Sequence, residues 1–397
     1  VASLPDSEGR LRQEIHLQTA LGVTMMAAKG FAAPDVLQAF SKARILCEKL
    51  GDQNELFVAL CGEASYHMIS GNLPAADELG RQCLELARAS GDPALLLEAH
   101  HRQWATKFFM GDYAAAQRHT EHGIATYDPD RHHQLTYIYT GHDPGVCCRY
   151  ISAMMLWLRG YSDQALARCQ EAMALADRVS HPFSMAMAQL HCSYVHLFRR
   201  EPDEVRRRVD KWIALSKEFG LSPTMMADGR FQLGWALAEE GHAAEGVREM
   251  REAIAAIAAT GTAIGRQYLL CVLARACGKS GEASEGLNLL ERALGIARSG
   301  AKYQWPELLR AKGDLLLRLN PHDDAAENWL RQALMAARDE GTKSLELRAA
   351  LSLARLYRAH QREREARDVL SPIYAWFTEG LATRDLVEAK DLLDQLH

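Results

Sequence analysis

The chain has 397 residues, of which 48% are hydrophobic and 7% aromatic, a balance that favours a large interior of packed Ala- and Leu-rich helices over sheets. Its 46 basic and 51 acidic residues leave a net charge of −5, so there is no electrostatic case for a surface that binds nucleic acid or an anionic membrane. Nine scattered cysteines, odd in number and without a C-x-x-C, speak against a disulfide or zinc framework and for reduced thiols in a cytoplasmic protein.

The first ten residues, VASLPDSEGR, carry neither the charged start nor the apolar stretch of a signal peptide, and no later apolar run approaches the ~18 residues of a membrane span. The start at Val1 rather than Met leads to the expectation that this is a segment of a longer, multidomain protein. From there the glycines act as a ruler. Gly30, Gly71, Gly111, Gly160, Gly241 and Gly281 are spaced by 41, 40, 49, 81 and 40 residues, and a second series ends Gly220, Gly261, Gly300, Gly341, Gly380. A period near 40 residues therefore runs along the chain, with one glycine of the first series missing at Arg199–Asp203. Between these glycines, apolar residues recur at three- and four-residue steps, as at Leu287, Leu290, Leu294 and Ala297, so each unit is a helix, a turn and a helix. Nine pairs are predicted, at 11–50, 53–90, 93–128, 143–179, 182–219, 223–260, 264–299, 303–340 and 343–379, followed by a capping helix near 384–396.

A period of this length admits two helical solenoids, and small residues choose between them. Ala76-Gly80-Cys83, Ala165-Cys169-Ala172, Gly246-Met250-Ala253, Gly286-Leu290-Ala293 and Ala326-Leu330-Ala333 follow the crossing pattern of tetratricopeptide units, degrading to Val205-Val209-Trp212 in the fifth pair. The predicted fold is all-α: a right-handed α-solenoid of about nine long tetratricopeptide-like pairs forming one continuous superhelical domain over 1–397. The long gap between Gly111 and Gly160 marks an inserted loop at 129–144, bracketed by Pro129 and Pro144, with Asp143 as N-cap of the next helix. Arg199, Arg200, Arg206, Arg207 and Arg208 cluster at one turn and are read as a solvated face, with a docking patch as the alternative.

No nucleophile elbow, phosphate-binding loop or dinucleotide fingerprint is present, so catalysis is not expected. His132, His133 and His142 in the insertion, beside Asp143, Cys147 and Cys148, are ligand types for a metal, but zinc-motif spacing is absent; neither a metal nor a cofactor is expected. The better candidate is the concave face lined by the first helix of each pair. Its predicted positions are His101 and Phe108, then Tyr150, Met154 and Trp157, then Tyr194 and Phe198. Phe231 and Trp235, Tyr268 and Arg275, Leu315, Arg348 and Arg355 continue the series. Such a groove, aromatic in the middle and basic toward one end, suits an extended segment or helix bearing carboxylates. The alternative is that these rings are ordinary core between helices. Tyr137, Ile138 and Tyr139 are expected to pack over the groove mouth, with His142 and Asp143 completing a lid.

Several stretches are more distinctive than a generic repeat: SLPDS at Ser3–Ser7, YDPD at Tyr127–Asp130, HDPGV at His142–Val146, KSLELRAALSLARL at Lys343–Leu356, and WFTEG at Trp376–Gly380 with Asp385-Leu386 and Glu388-Ala389-Lys390. Together they resemble the C-terminal tetratricopeptide region of large bacterial signalling proteins, in which a class III adenylate or guanylate cyclase or another effector domain is followed by an AAA-type ATPase. The resemblance implies a sensor or regulatory scaffold; with the groove, the leading reading is a non-enzymatic solenoid that binds a protein segment, which the upstream domains of its own polypeptide could supply, and flexes as a spring to regulate attached domains. Two rivals are a small-molecule sensor with the insertion as lid and a metal-dependent enzyme around His132, His133 and His142. Oligomeric state is not encoded in any pattern found.

Overall fold

The computed structural model describes residues 7–139, 141–220 and 223–396. Ser3–Asp6 of the SLPDS stretch, and Thr140 of the insertion, lie outside the described residues. Nine helix pairs follow in order: α1 (Glu8–Lys29) with α2 (Pro34–Leu50), α3 (Gln53–Ile69) with α4 (Leu73–Ser90), and α5 (Pro93–Met110) with α6 (Tyr113–Thr126). The insertion supplies the short α7 (Pro129–His132) and a 3-10 turn, His133–Tyr137. Then come α8 (Pro144–Leu158) with α9 (Ser162–Val179), α10 (Pro182–Arg199) with α11 (Pro202–Glu218), and α12 (Pro223–Glu239) with α13 (Ala243–Ala259). The last pairs are α14 (Arg266–Lys279) with α15 (Ala283–Arg298), α16 (Trp305–Leu319) with α17 (Asp324–Asp339), and α18 (Lys343–Ala359) with α19 (Glu363–Trp376), before the final α20 (Arg384–Asp394). There are no strands among the described residues, so the all-α solenoid expected from the period is the observed fold.

Each pair closes as its small residues require. A Cβ on Gly246 would lie 2.3 Å from the Gly234 carbonyl oxygen, so α13 crosses α12 at backbone contact and nothing larger than glycine fits there. In the fifth pair the pattern fails differently. Val205, Val209 and Trp212 are all fully buried, and the Trp212 ring occupies the space a Cβ on Gly229 would need. The missing turn glycine is replaced by Arg200, held left-handed at φ 64. Its guanidinium lies 3.0 Å from both Asp385 and Glu388 of α20, so the strained backbone places a side chain that glycine lacks. Arg199 likewise pairs with Glu201 and is largely buried, so the first two arginines of the cluster join elements and do not form a solvated face.

The superhelix winds tightly enough for its second turn to touch its first. Ile69 O accepts from the amides of Ala263 and Ile264 at 2.8 and 3.1 Å, and Phe109 O accepts from Tyr303 N at 3.2 Å. Ser344 Oγ donates to Trp157 O, and Arg348 to Phe198 O. Glu379 Oε1 accepts from the amides of Asp163 and Gln164 at 2.9 and 3.1 Å, capping α9, whose own N-cap residue Tyr161 makes no such bond. Gly160, at φ 94, sits where a Cβ would come within 2.6 Å of Trp376, so glycine serves both the turn and the close approach. This seam ties early pairs to late ones along the coil.

Candidate functional site

Closing the coil leaves an open-sided cavity of about 570 Å³ on its inner face. Its wall is mainly apolar. Met26, Met68, Met154 and Met187 supply adaptable thioethers, while Phe109, Tyr150, Phe183, Tyr194, Tyr268 and Tyr303 supply ring surface. Both turns of the superhelix contribute: Ile69 and Phe109 from the first, Ile264 and Tyr303 from the second, and these four also form the seam hydrogen bonds. Cavity wall and seam are thus partly the same residues.

Three polar groupings interrupt the apolar lining. On α12, Asp228 accepts the Tyr194 hydroxyl at 2.7 Å; burial raises its carboxyl from the ordinary 3.8 to about 6, against the lowering effect of the Tyr194 bond. On α5, Arg102 donates to Ser65 Oγ at 2.6 Å and lies 3.6 Å from Glu98, whose carboxyl burial pushes up to about 7. Burial also lowers His191, stacked on Tyr150 at 4.0 Å, to about 4, and keeps His101 well below the usual histidine range. At the third grouping, His101 Nε2 meets His142 Nε2 at 3.1 Å, beside Cys147.

Of the concave-face positions expected from the sequence, His101, Phe108, Tyr150, Met154, Tyr194 and Tyr268 line this cavity. Trp157 and Phe198 stack on each other at 4.9 Å, with Arg348 over the Trp157 ring, and are buried at the seam. Phe231 has no exposed surface, Leu315 packs against Gly278 and Gly286, and Trp235 is buried beside Glu239, Arg275 and Lys279. The basic end does not offer free charge to a partner's carboxylates: Arg275 pairs with Glu307 at 2.9 Å, Arg348 with Asp385 at 2.7 Å and Arg355 with Glu388 at 2.8 Å.

The insertion splits likewise. Tyr139 is buried against Phe57 and lines the cavity together with His142, whereas Tyr137 and Ile138 are 65% and 45% exposed and do not line it, Tyr137 packing edge-on against the wall residue His181. Asp143 is an anchor: fully buried, it caps α8 through Val146 N at 3.0 Å and accepts from Tyr127 and His133 at 2.6 and 2.9 Å. His132 Nδ1 accepts from Asp128 N, and His132, His133 and His142, which the metal-enzyme rival would bring together, each make a different contact.

No protein-family model matches the chain, and no curated protein matches it. Solved structures do. A Rap protein in complex with competence and sporulation factor superposes with a TM-score of 0.63 at 11% identity, covering 97% of this chain and 99% of that one. The chain is a tetratricopeptide-like helical coil. The apo form of the quorum sensor NprR from B. thuringiensis gives 0.52 at 11% identity, covering 93% and 99%. At such identity the likeness establishes the fold of the coil and nothing about its ligand. No helix among the described residues is long and apolar enough to cross a membrane.

Proposed function

We propose that the chain is a non-enzymatic regulatory module that encloses a short, mostly apolar ligand, a peptide of a few residues bearing a cationic group, and reports its presence through the seam. The observation that carries this reading is the sharing of Ile69, Phe109, Ile264 and Tyr303 between cavity wall and inter-turn contacts. A ligand held there touches both turns of the coil, so its binding energy differs between a closed and an opened seam. The volume falls within the ~300–1,000 Å³ typical of small-ligand sites and is too small for a folded partner. The cationic group follows from Asp228, a carboxylate facing the cavity that accepts from the neutral Tyr194 hydroxyl; an ammonium or guanidinium would offset its burial.

That a Rap protein was solved with competence and sporulation factor, and that NprR is named a quorum sensor, supports reading the inner face as a signal site. Regulation of an attached cyclase or ATPase domain, and a place for this continuous coil inside a longer polypeptide, rest on the sequence resemblance. A small metabolite of the same size and charge is the second reading, favoured by the placement of Tyr139 and His142 in the wall. Ala105→Trp tests both. Ala105 lies on the cavity wall, so the indole fills the void without removing a core contact. Peptides enriched on the wild-type protein from a random display library should fail to bind this variant while its melting temperature stays equal or rises. Equal binding to both proteins would place the ligand elsewhere and refute the cavity assignment.

A further inference from the structure

The cavity wall gathers three metal-ligating groups that neither the sequence pattern nor the insertion alone brings together. Ligand atoms of His101, His142 and Cys147, one from each, lie within 4.8 Å of one another, and the Nε2 atoms of the two histidines are 3.1 Å apart. An ion about 2.0–2.1 Å from two imidazole nitrogens and about 2.3 Å from a thiolate, at tetrahedral angles, holds them roughly 3.4 and 3.6 Å apart. The three donors therefore need only small side-chain adjustments to share one ion.

Their surroundings fit a metal as well. His101 Nδ1 is 3.1 Å from Glu98 Oε2, which is 1% exposed, and the His101 ring stacks on Trp104 at 4.7 Å. A buried carboxylate on Nδ1 fixes the tautomer that leaves the Nε2 lone pair facing the cluster, the outer-shell arrangement of metal-bound histidines. Trp104 Nε1 donates to Cys147 Sγ at 3.4 Å, a bond that becomes stronger when the sulfur is anionic. All three donors line the cavity, so a fourth coordination position would open into it.

We propose that His101, His142 and Cys147 form a site for a zinc-class ion, three protein ligands with the fourth position open to the cavity. On binding, each imidazole donates its Nε2 lone pair and retains the Nδ1 proton; Cys147 releases its thiol proton to solvent and binds through sulfur. The ion replaces the direct His101–His142 contact and clips the insertion to α5 and α8. This site does not depend on what occupies the rest of the cavity.

The test is titration of the chelator-stripped full chain with Zn²⁺ alone, in competition with a chromophoric chelator. One equivalent should bind, and binding should weaken about 100-fold or more in Cys147→Ala and His142→Ala and about 10- to 100-fold in Glu98→Gln. His142 sits in the insertion, so its variant keeps the helical core and guards against a folding artefact. Co²⁺ in the same protein should give a thiolate-to-metal charge-transfer band that Cys147→Ala removes. His119→Ala is the control: His119 contacts His100 at 2.8 Å outside the cavity, and its loss should change nothing. Failure of the wild-type chain to bind one equivalent, or binding unchanged in Cys147→Ala and His142→Ala, would overturn the proposal.

Discussion

Replacing Asp228 with Asn isolates the cost of holding a carboxylate in the cavity wall. The change keeps size and the acceptor for the Tyr194 hydroxyl, and removes only the titrating charge. Burial raises the folded-state value from 3.8 to about 6, so the native protein holds that proton more tightly than the unfolded chain. Proton uptake therefore supports the fold fully below the unfolded value, and this support is lost as pH rises through the folded one. At about 1.4 kcal/mol per pH unit between the two values, the carboxylate costs roughly 3 kcal/mol above pH 7, or about 2 after allowance for water in the cavity. Urea denaturation of both proteins across pH 4 to 8 should show them close in stability near pH 4 and the Asn variant ahead by about 2 kcal/mol at pH 7.5. A difference that does not vary with pH, or an Asn variant that is weaker at pH 7.5, would refute the argument that Asp228 is an uncompensated carboxylate awaiting a cation.

The seam makes further predictions. Gly160→Ala forces a Cβ into a left-handed turn and into Trp376, so thermal denaturation should show a loss of about 2–4 kcal/mol. Glu379→Ala uncaps α9 from a distance, and should cost about 1 kcal/mol while the amides of Asp163 and Gln164 lose protection from hydrogen exchange. Arg200→Gly relaxes the backbone by about 0.4–1 kcal/mol but takes one of two cations from Asp385 and from Glu388, which keep Arg348 and Arg355; the net change should be a loss of about 1–2 kcal/mol, and a net gain would show that the Arg200 ion pairs contribute nothing.

The helix pairs were readable because what defines them is local: a stripe of apolar residues, then a glycine such as Gly261 at φ 79. The seam was not, because Glu379 and Asp163, or Arg348 and Phe198, meet only once the coil has wound, and no periodicity records that meeting. Yet the distinctive stretches that lie within the described residues contain seam and anchor residues. Trp376 and Glu379 pack and cap across the turn, Ser344 and Arg348 bond to the first turn, Asp385 holds Arg200, and Asp143 receives Tyr127. The first-helix rule placed Tyr150, Met154 and Tyr194 in the wall, but it could not separate them from Trp157 and Phe198, which lie a turn further along the same helices and serve the seam. The basic positions misled for a similar reason, since the carboxylates of Glu307, Asp385 and Glu388 arrive from other pairs. Among the histidines, proximity in sequence favoured His132 and His133, while the partner that His142 meets, His101, is 41 residues away.

The central claim, that occupancy of the cavity tightens the inter-turn seam, is tested most directly by hydrogen exchange at the amides of Ala263, Ile264 and Tyr303, with and without a display-selected peptide bearing a cationic group. These amides donate to Ile69 and Phe109 across the seam. The account predicts slower exchange at all three in the wild-type chain when the peptide is bound, and no change when it is added to Ala105→Trp. A bound peptide that leaves these amides exchanging at their original rates would contradict it, because the cavity would then be occupied without any effect on the contacts that close the coil.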